Sequence, residues 1–165
     1  MALSIADEAP NFDLSSTENA VLMLRDEAAR SAVAVYFFAD ATDPRAHRDL
    51  DALNRSLDRL ARRSARVLAV SPAALDALKR LQAERKLLFP LLHDDRGFSA
   101  TYGVMPPEPA LVVVGRKQRI LWLANPVAAV AEALPQVEKV LEEQPSPAKS
   151  YPKSVINRLI DKLVS

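Results

Sequence analysis

Residues 31–53 read SAVAVYFFADATDPRAHRDLDAL, and this stretch decides the fold. Its first eight residues, Ser31 to Phe38, form a continuous run of apolar, β-branched and aromatic side chains, which predicts a central strand buried on both faces. Asp43 followed by Pro44 predicts the start of a helix, because aspartate is a good N-cap and proline suits the first helical position. The stretch therefore predicts a buried strand, a loop and a helix.

The segments on both sides extend this pattern of strands and helices. The first helix carries an apolar stripe at helical spacing, formed by Leu50, Leu53, Leu57 and Leu60. RVLAVS is a second buried strand, and Ser71-Pro72 predicts the start of a second helix whose stripe is Leu75, Leu78 and Leu81. A short strand then leads to a turn and a brief helix, in the sequence LLFPLLHDDRGFSATYGV. These alternating elements predict right-handed crossovers and a mainly parallel sheet.

The two ends of this core add antiparallel pairs. Phe12 and Leu14, followed by AVLML, predict an N-terminal hairpin. ALVVVG and RILWLA flank the turn RKQ and predict a late antiparallel pair, followed by a helix that we expect Pro135 to split in two. The sequence therefore predicts one α/β domain with a mixed sheet and helices on both faces.

The composition limits the possible functions. The chain has 165 residues, 49% hydrophobic and 26% charged, with a net charge of +1, which is typical of a soluble globular domain without a general attraction to nucleic acid. It contains no cysteine, so disulfides, thiolate catalysis and thiolate metal ligands are excluded. The N-terminal residues do not resemble a signal peptide and no apolar run reaches transmembrane length, so we expect a cytoplasmic protein.

Five segments resemble those of a known family in their amino-acid sequence and in their order along the chain. They are EAPNFDL, AVAVYFFADATDP, VLAVSP, FPLLHDDRGFSATYGV and ALVVVGRKQRILW, and the resemblance covers about Asp7 to Leu141. The family is the peroxiredoxins (AhpC/TSA), and the most similar subgroup is the bacterioferritin-comigratory type. The resemblance implies a thioredoxin-like fold with an N-terminal β-hairpin, to which this chain adds a C-terminal helix.

The resemblance also locates an active site whose functional residues have all been replaced. The family places Pro-x-x-x-Thr-x-x-Cys at the start of the first helix and an arginine just before the late strand. These four positions hold Ala39, Asp43, Ala46 and Pro109. Some relatives carry a resolving cysteine five residues beyond the reactive one, where this chain has Asp51.

These replacements remove the chemistry of peroxide reduction. A thiolate must attack the O–O bond, and Ala46 has no nucleophile. Pro109 supplies neither a positive charge nor an N–H donor, and Asp43 would oppose the ionisation of a neighbouring thiol. A single Cys→Ala change at position 46 would not account for Asp43 and Pro109. We therefore interpret the four positions as a vestigial site with no catalytic residue.

Other candidate chemistry has a weaker basis. His47 and Asp51 share a helix face and could form half of a metal site with His93 or Asp94, but a turn or surface role is favoured and we expect neither a metal nor a cofactor. The segment from Asp94 to Gly97 lacks the further oxygen ligands of a calcium loop and predicts a turn. A cluster of arginines near the end of the first helix predicts a solvated helix end rather than a nucleic-acid site, namely Arg55, Arg59, Arg62, Arg63 and Arg66.

The C-terminal residues form a separate unit in the sequence. We predict a peroxiredoxin-like domain over residues 1–143, and a proline-containing linker and amphipathic helix over residues 144–165. The apolar face of this helix is formed by Val155, Ile156, Leu159, Ile160 and Leu163. It could pack on its own domain, on a second subunit, or on a membrane surface or other partner.

Two functional hypotheses follow from the resemblance and the missing residues. In the first, a catalytically degenerate protein acts by binding a protein partner or as a homodimer, through residues 39–46, residues 105–109 and the C-terminal helix. In the second, an antioxidant oxidoreductase reduces peroxides by a non-cysteine route or with a thiol supplied by a partner. A fold alone does not confer an activity, and the missing residues favour the first hypothesis.

Overall fold

A computed structural model describes residues 3–105 and 107–144. Seven strands and six helices lie within these ranges. In chain order they are β1 Asp13–Ser16, β2 Val21–Met23, α1 Leu24–Arg30, β3 Ala32–Phe37, α2 Pro44–Arg55, α3 Leu57–Arg62, β4 Ala65–Ser71, α4 Leu75–Arg85, β5 Leu91–His93, α5 Phe98–Thr101, β6 Ala110–Val114, β7 Ile120–Ala124 and α6 Val130–Glu142.

The strands form one mixed sheet in the order β2-β1-β5-β4-β3-β6-β7. β4 pairs in parallel with β3 and with β5, and the remaining pairs are antiparallel. Both faces are covered, because one apolar cluster includes residues of α2, α3, α4 and α6 and the other includes residues of α1. Phe38 belongs to the first cluster and Phe37 to the second. The predicted mixed sheet, with β3 buried at its centre, is confirmed.

The helix after β3 begins where the sequence predicts but does not continue unbroken. Asp43 is the N-cap, with its carboxylate accepting a hydrogen bond from the Arg45 N–H at 2.9 Å, and Pro44 is the first helical residue. The helix breaks at Ser56, whose hydroxyl donates to the Ala52 carbonyl at 2.9 Å. Such a bond within a helix competes with the regular backbone pattern and often bends it.

Two predictions about helix boundaries are wrong. Ser71 ends β4, and its hydroxyl accepts a hydrogen bond from the Ala73 N–H in a tight turn, so the next helix begins only at Leu75. Pro135 does not split the last helix, because α6 runs continuously past it. Pro135 and Ala131 lie on the exposed face, where water can satisfy the carbonyl that proline leaves without a donor.

The structure also contains a helix that the sequence analysis did not predict. α1 follows β2 directly and buries Leu24 and Ala28 against the second cluster. The predicted C-terminal helix lies outside the described residues. Within the described ranges, no helix is both long and apolar enough to cross a membrane.

Candidate functional site

The four site positions, Ala39, Asp43, Ala46 and Pro109, belong to the loops at the carboxyl end of β3 and to the first turn of α2. Ala39 follows the strand and is half-buried. Ala46 lies on the first turn of α2, where it is 1% exposed and part of the core. A methyl group therefore fills the place to which the resemblance assigns a reactive thiol.

Arg45 connects this first turn to the segment before β6. Its guanidinium donates to the Pro107 carbonyl at 3.2 Å and lies 3.5 Å from the Glu108 carboxylate and 3.9 Å from that of Asp43. The positive charge beside Ala46 is therefore already paired with two carboxylates. Arg45 carries no signal in the sequence, because its partners before β6 are far away in the chain.

Pro109, at the position to which the resemblance assigns the family's arginine, has a structural role. It is buried immediately before β6, and its carbonyl accepts a hydrogen bond from the Val127 N–H at 2.9 Å. This bond ties the start of β6 to the segment that leads into α6. No side-chain donor or charge enters the site from this position.

Asp49 is a second residue of this region that was not identified from the sequence. It is 4% exposed, and one carboxylate oxygen accepts a hydrogen bond from the Tyr36 hydroxyl at 2.6 Å while the other accepts from the Val130 N–H at 3.0 Å. Burial, and secondarily the hydrogen bond to Asp49, raise the pKa of Tyr36 far above its usual value, so its hydroxyl stays a donor. The available signal was a carboxylate three residues after Ala46 and four before Leu53, on the apolar face of the helix.

Asp51 faces away from the first turn. It forms a two-point ion pair with Arg85 of α4, with 3.0 Å between Oδ1 and Nε. The hydrogen bonds from Arg85 lower the pKa of the Asp51 carboxyl. Asp51, to which the resemblance assigns the place of a resolving cysteine, thus links α2 to α4.

The structure does not assemble the metal site that the sequence left open. His47 Nε2 lies 2.6 Å from the Ala41 carbonyl and His93 Nδ1 lies 2.7 Å from that of Ala73, while Asp51 is paired with Arg85. Among the described residues, no three His, Cys, Asp or Glu side chains are grouped as metal ligands would be.

The segment from Asp94 to Gly97 is a turn, as predicted. The Asp94 carboxylate accepts hydrogen bonds from the N–H groups of Phe98 and Ser99 and from the Ser99 hydroxyl, at 2.8 to 3.0 Å. Burial opposes ionisation, but these donors outweigh it, so the pKa of Asp94 is lower than usual. The carboxylate therefore fixes the start of α5.

Three arginines of the cluster form ion pairs with carboxylates on other helices. Arg59 and Arg63 pair with Glu138 and Glu142 of α6, and Arg66 pairs with Glu27 of α1 at 2.6 Å. Arg59 and Arg63 lie at the end of α3, as predicted for a helix end, but Arg66 belongs to β4, and all three are paired with carboxylates rather than simply solvated.

An open pocket lies on the other side of Ala39. Its volume is about 190 Å³, and its wall is mostly apolar, formed by Phe37, Phe38, Ala39, Pro72, Ala100 and Val104. Asp94, Ser99 and Glu108 add the polar groups. Of the four site positions, Ala39 lines the pocket and the others do not.

Comparisons with known proteins place this fold. Residues 5–123 match the model of the AhpC/TSA family. Peroxidoxin BcpB from Mycobacterium tuberculosis superposes with a TM-score of 0.79 at 17% identity, over 86% of this chain and 98% of that one. A cysteine-to-serine mutant of PrxQ from Xylella fastidiosa gives 0.78 at 20% identity, over 86% and 97%.

A putative thiol:disulfide interchange protein DsbE from Chlorobium tepidum gives a TM-score of 0.73 at 24% identity, over 85% of this chain and 99% of that one. At these identities the likeness shows the fold, and it confirms the predicted thioredoxin-like α/β architecture. A comparison with curated proteins finds no significant match.

Proposed function

The chain belongs to the AhpC/TSA family, and from this we propose that it is a catalytically degenerate member that acts by binding, as a scaffold, a regulator or an inactive partner subunit. One observation carries the proposal. The chain contains no cysteine, and the residue at the reactive position, Ala46, is buried in the core. Neither the chain nor this position supplies a thiolate for attack on a peroxide.

The surroundings of Ala46 support the proposal. An enzyme that stabilises a developing negative charge needs an unpaired donor aimed at the reacting atoms. Here Arg45 is engaged by Glu108, Asp43 and the Pro107 carbonyl, and Pro109 has no side-chain donor. Asp43 caps the helix instead of activating a nucleophile, which stabilises the first turn of α2.

The binding surface that we propose combines residues 39–46 with residues 105–109, together with the predicted C-terminal helix. Arg45 holds these two loops together, so they present one continuous surface at the carboxyl end of β3. We propose that residues 1–143 form the family domain and that residues 144–165 form an added segment with its own apolar stripe. A protein partner or a second copy would bind this end of the molecule.

Peroxide consumption by the purified chain, with an excess of a dithiol reductant, tests the proposal. We expect the native chain to consume hydrogen peroxide and an organic hydroperoxide no faster than buffer does. An Ala46→Cys/Pro109→Arg variant, which restores a thiol and a cation at two of the four positions, should exceed this background. Ala61→Cys on the exposed surface of α3 is the matched control for a thiol outside the site.

Turnover by the native chain would overturn the proposal. Turnover abolished by a chelator or by removal of a co-purifying protein would identify the alternative, an oxidoreductase that uses a non-cysteine or partner-supplied route. Activity in the Ala46→Cys/Pro109→Arg variant, with none in Ala61→Cys, would further show that the first turn of α2 still has the geometry of a peroxidase site.

A further inference from the structure

The pocket beside Ala39 has a mostly apolar wall, and the proposed function does not assign it a ligand. We propose that it is the docking site of the chain's own C-terminal segment, residues 154–164, so that the binding surface is covered within the same molecule. The inference rests on the proposed function in one respect, since it treats this end of the molecule as a binding surface.

The charge around the pocket is the first argument. Glu108, which lines the pocket, is half-exposed, and Asp40 and Asp95 are exposed neighbours of the lining residues Ala39 and Asp94. Arg45 shares its one positive charge between Glu108 and Asp43, and Arg96 is paired with Asp13, so these two arginines do not offset the carboxylates of Asp40 and Asp95. The rim therefore favours a cationic occupant.

The C-terminal segment has the complementary composition. The segment carries two cations and one carboxylate, Arg158, Lys162 and Asp161, and the linker before it adds Lys149 and Lys153. Its apolar residues recur at helical spacing, as Val155, Ile156, Leu159, Ile160 and Leu163. A pocket walled by Phe37, Phe38 and Val104 suits one aliphatic side chain of such a stripe, with the cations placed at the acidic rim.

The path of the chain makes this contact possible. The segment leading into α6 is bound to Pro109, near the pocket, and α6 ends at Glu142, which is paired with Arg63 just before β4. With 13 residues, α6 is about 20 Å long, which sets the scale of the distance that the chain must return. Residues 145–153 span at most about 30 Å when extended, which is enough to bring residues 154–164 back to the pocket.

A single thiol at the pocket reports on this contact, since the native chain has no other. Ala100 lines the pocket and is exposed on α5, so Ala100→Cys is alkylated readily if nothing covers it. The rate with iodoacetamide is measured in the full chain with the native segment and with Leu159→Asp/Ile160→Asp. A cover in place nine-tenths of the time slows alkylation about tenfold, and we expect this difference between the two backgrounds.

Ala61→Cys on α3 is the matched control, and its rate should be the same in both backgrounds. An increase at this site as well would indicate general unfolding, and Arg158→Glu/Lys162→Glu then replaces the aspartate variant. About 0.5 M NaCl should also weaken the protection, because the contact of cations with the acidic rim is screened by salt.

Equal rates of Ala100→Cys alkylation with the native and the disrupted segment would overturn the inference. Protection that disappears on dilution would overturn it too, because the segment would then come from a second copy. The assay contains no peroxide, so its outcome is independent of the peroxidase test. Failure of the docking inference can thus be told apart from failure of the proposed function.

Discussion

The two sides of α2 carry carboxylates with different roles. On the side facing the core, Asp49 is buried and accepts hydrogen bonds from Tyr36 of β3 and from the first N–H of α6. On the side facing solvent, Asp43 caps the helix and Asp51 pairs with Arg85, and both side chains are about one-third exposed. The same functional group is thus an internal anchor on one side and a surface contact on the other.

This difference shows which contacts hold the start of α2 in place. Asp43 and Asp51, at two positions to which the resemblance assigns functional residues of the family, contribute through local and solvent-screened contacts. Asp49 joins three elements in the core, where an unpaired polar group is costly. The first turn of α2 is therefore anchored by a residue to which the resemblance assigned no function.

Of the three carboxylates, replacing Asp49 should lower the free energy of unfolding the most. Asp49→Ala leaves the Tyr36 hydroxyl and the Val130 N–H buried without an acceptor, and we expect a loss of about 3 kcal/mol in the free energy of unfolding. Urea denaturation followed by circular dichroism measures it. Tyr36→Phe is the matched control, and a double-mutant cycle should show coupling between the two residues. A loss below about 1 kcal/mol would mean that Asp49 is not an anchor.

Replacing Asp43 should cause the second-largest loss in the free energy of unfolding. Asp43→Ala removes the N-cap acceptor of α2, and we expect a loss of about 1 kcal/mol in the free energy of unfolding. Asp43→Ser retains a capping oxygen without the charge and should stay within a few tenths of a kcal/mol of the native chain. If the serine variant were as unstable as the alanine variant, the ion pair with Arg45 rather than the cap would account for the effect.

Replacing Asp51 should cause the smallest loss in the free energy of unfolding, and this loss should depend on pH. Its pair with Arg85 is partly exposed, so Asp51→Asn should cost only about 0.5 kcal/mol at neutral pH. Because the pKa of Asp51 is lowered in the folded state, this stabilisation is present above the unfolded pKa of about 4 and is lost as the pH falls through the folded pKa. Native and variant melting curves should therefore converge once the pH has fallen below the folded pKa of Asp51. A difference that persists there would point to packing instead of charge.

The sequence predicted those features that depend on neighbouring residues. The apolar run of β3 and the pair Asp43-Pro44 are local signals, and the structure confirms the strand and the helix start. Ser71-Pro72 carries a similar signal, but the predicted helix start there is wrong. The Ser71 hydroxyl instead accepts a hydrogen bond from the Ala73 N–H in a turn before α4. The prediction that Pro135 splits the last helix is also wrong, because the exposed side of α6 tolerates a missing helical hydrogen bond.

The tertiary structure decided the contacts that join distant segments. Asp49 lies 13 positions from Tyr36 and 81 from Val130, and Arg45 lies 62 positions from Pro107. No local pattern encodes such pairs, because they form only when the sheet brings the strand ends and the loops together. The sequence by itself determined the α/β fold, the family and the absence of a thiol, since these follow from composition, periodicity and ordered motifs. Only the tertiary structure decided that Ala46 is buried and that its neighbours are engaged with one another, because burial and pairing are properties of packing.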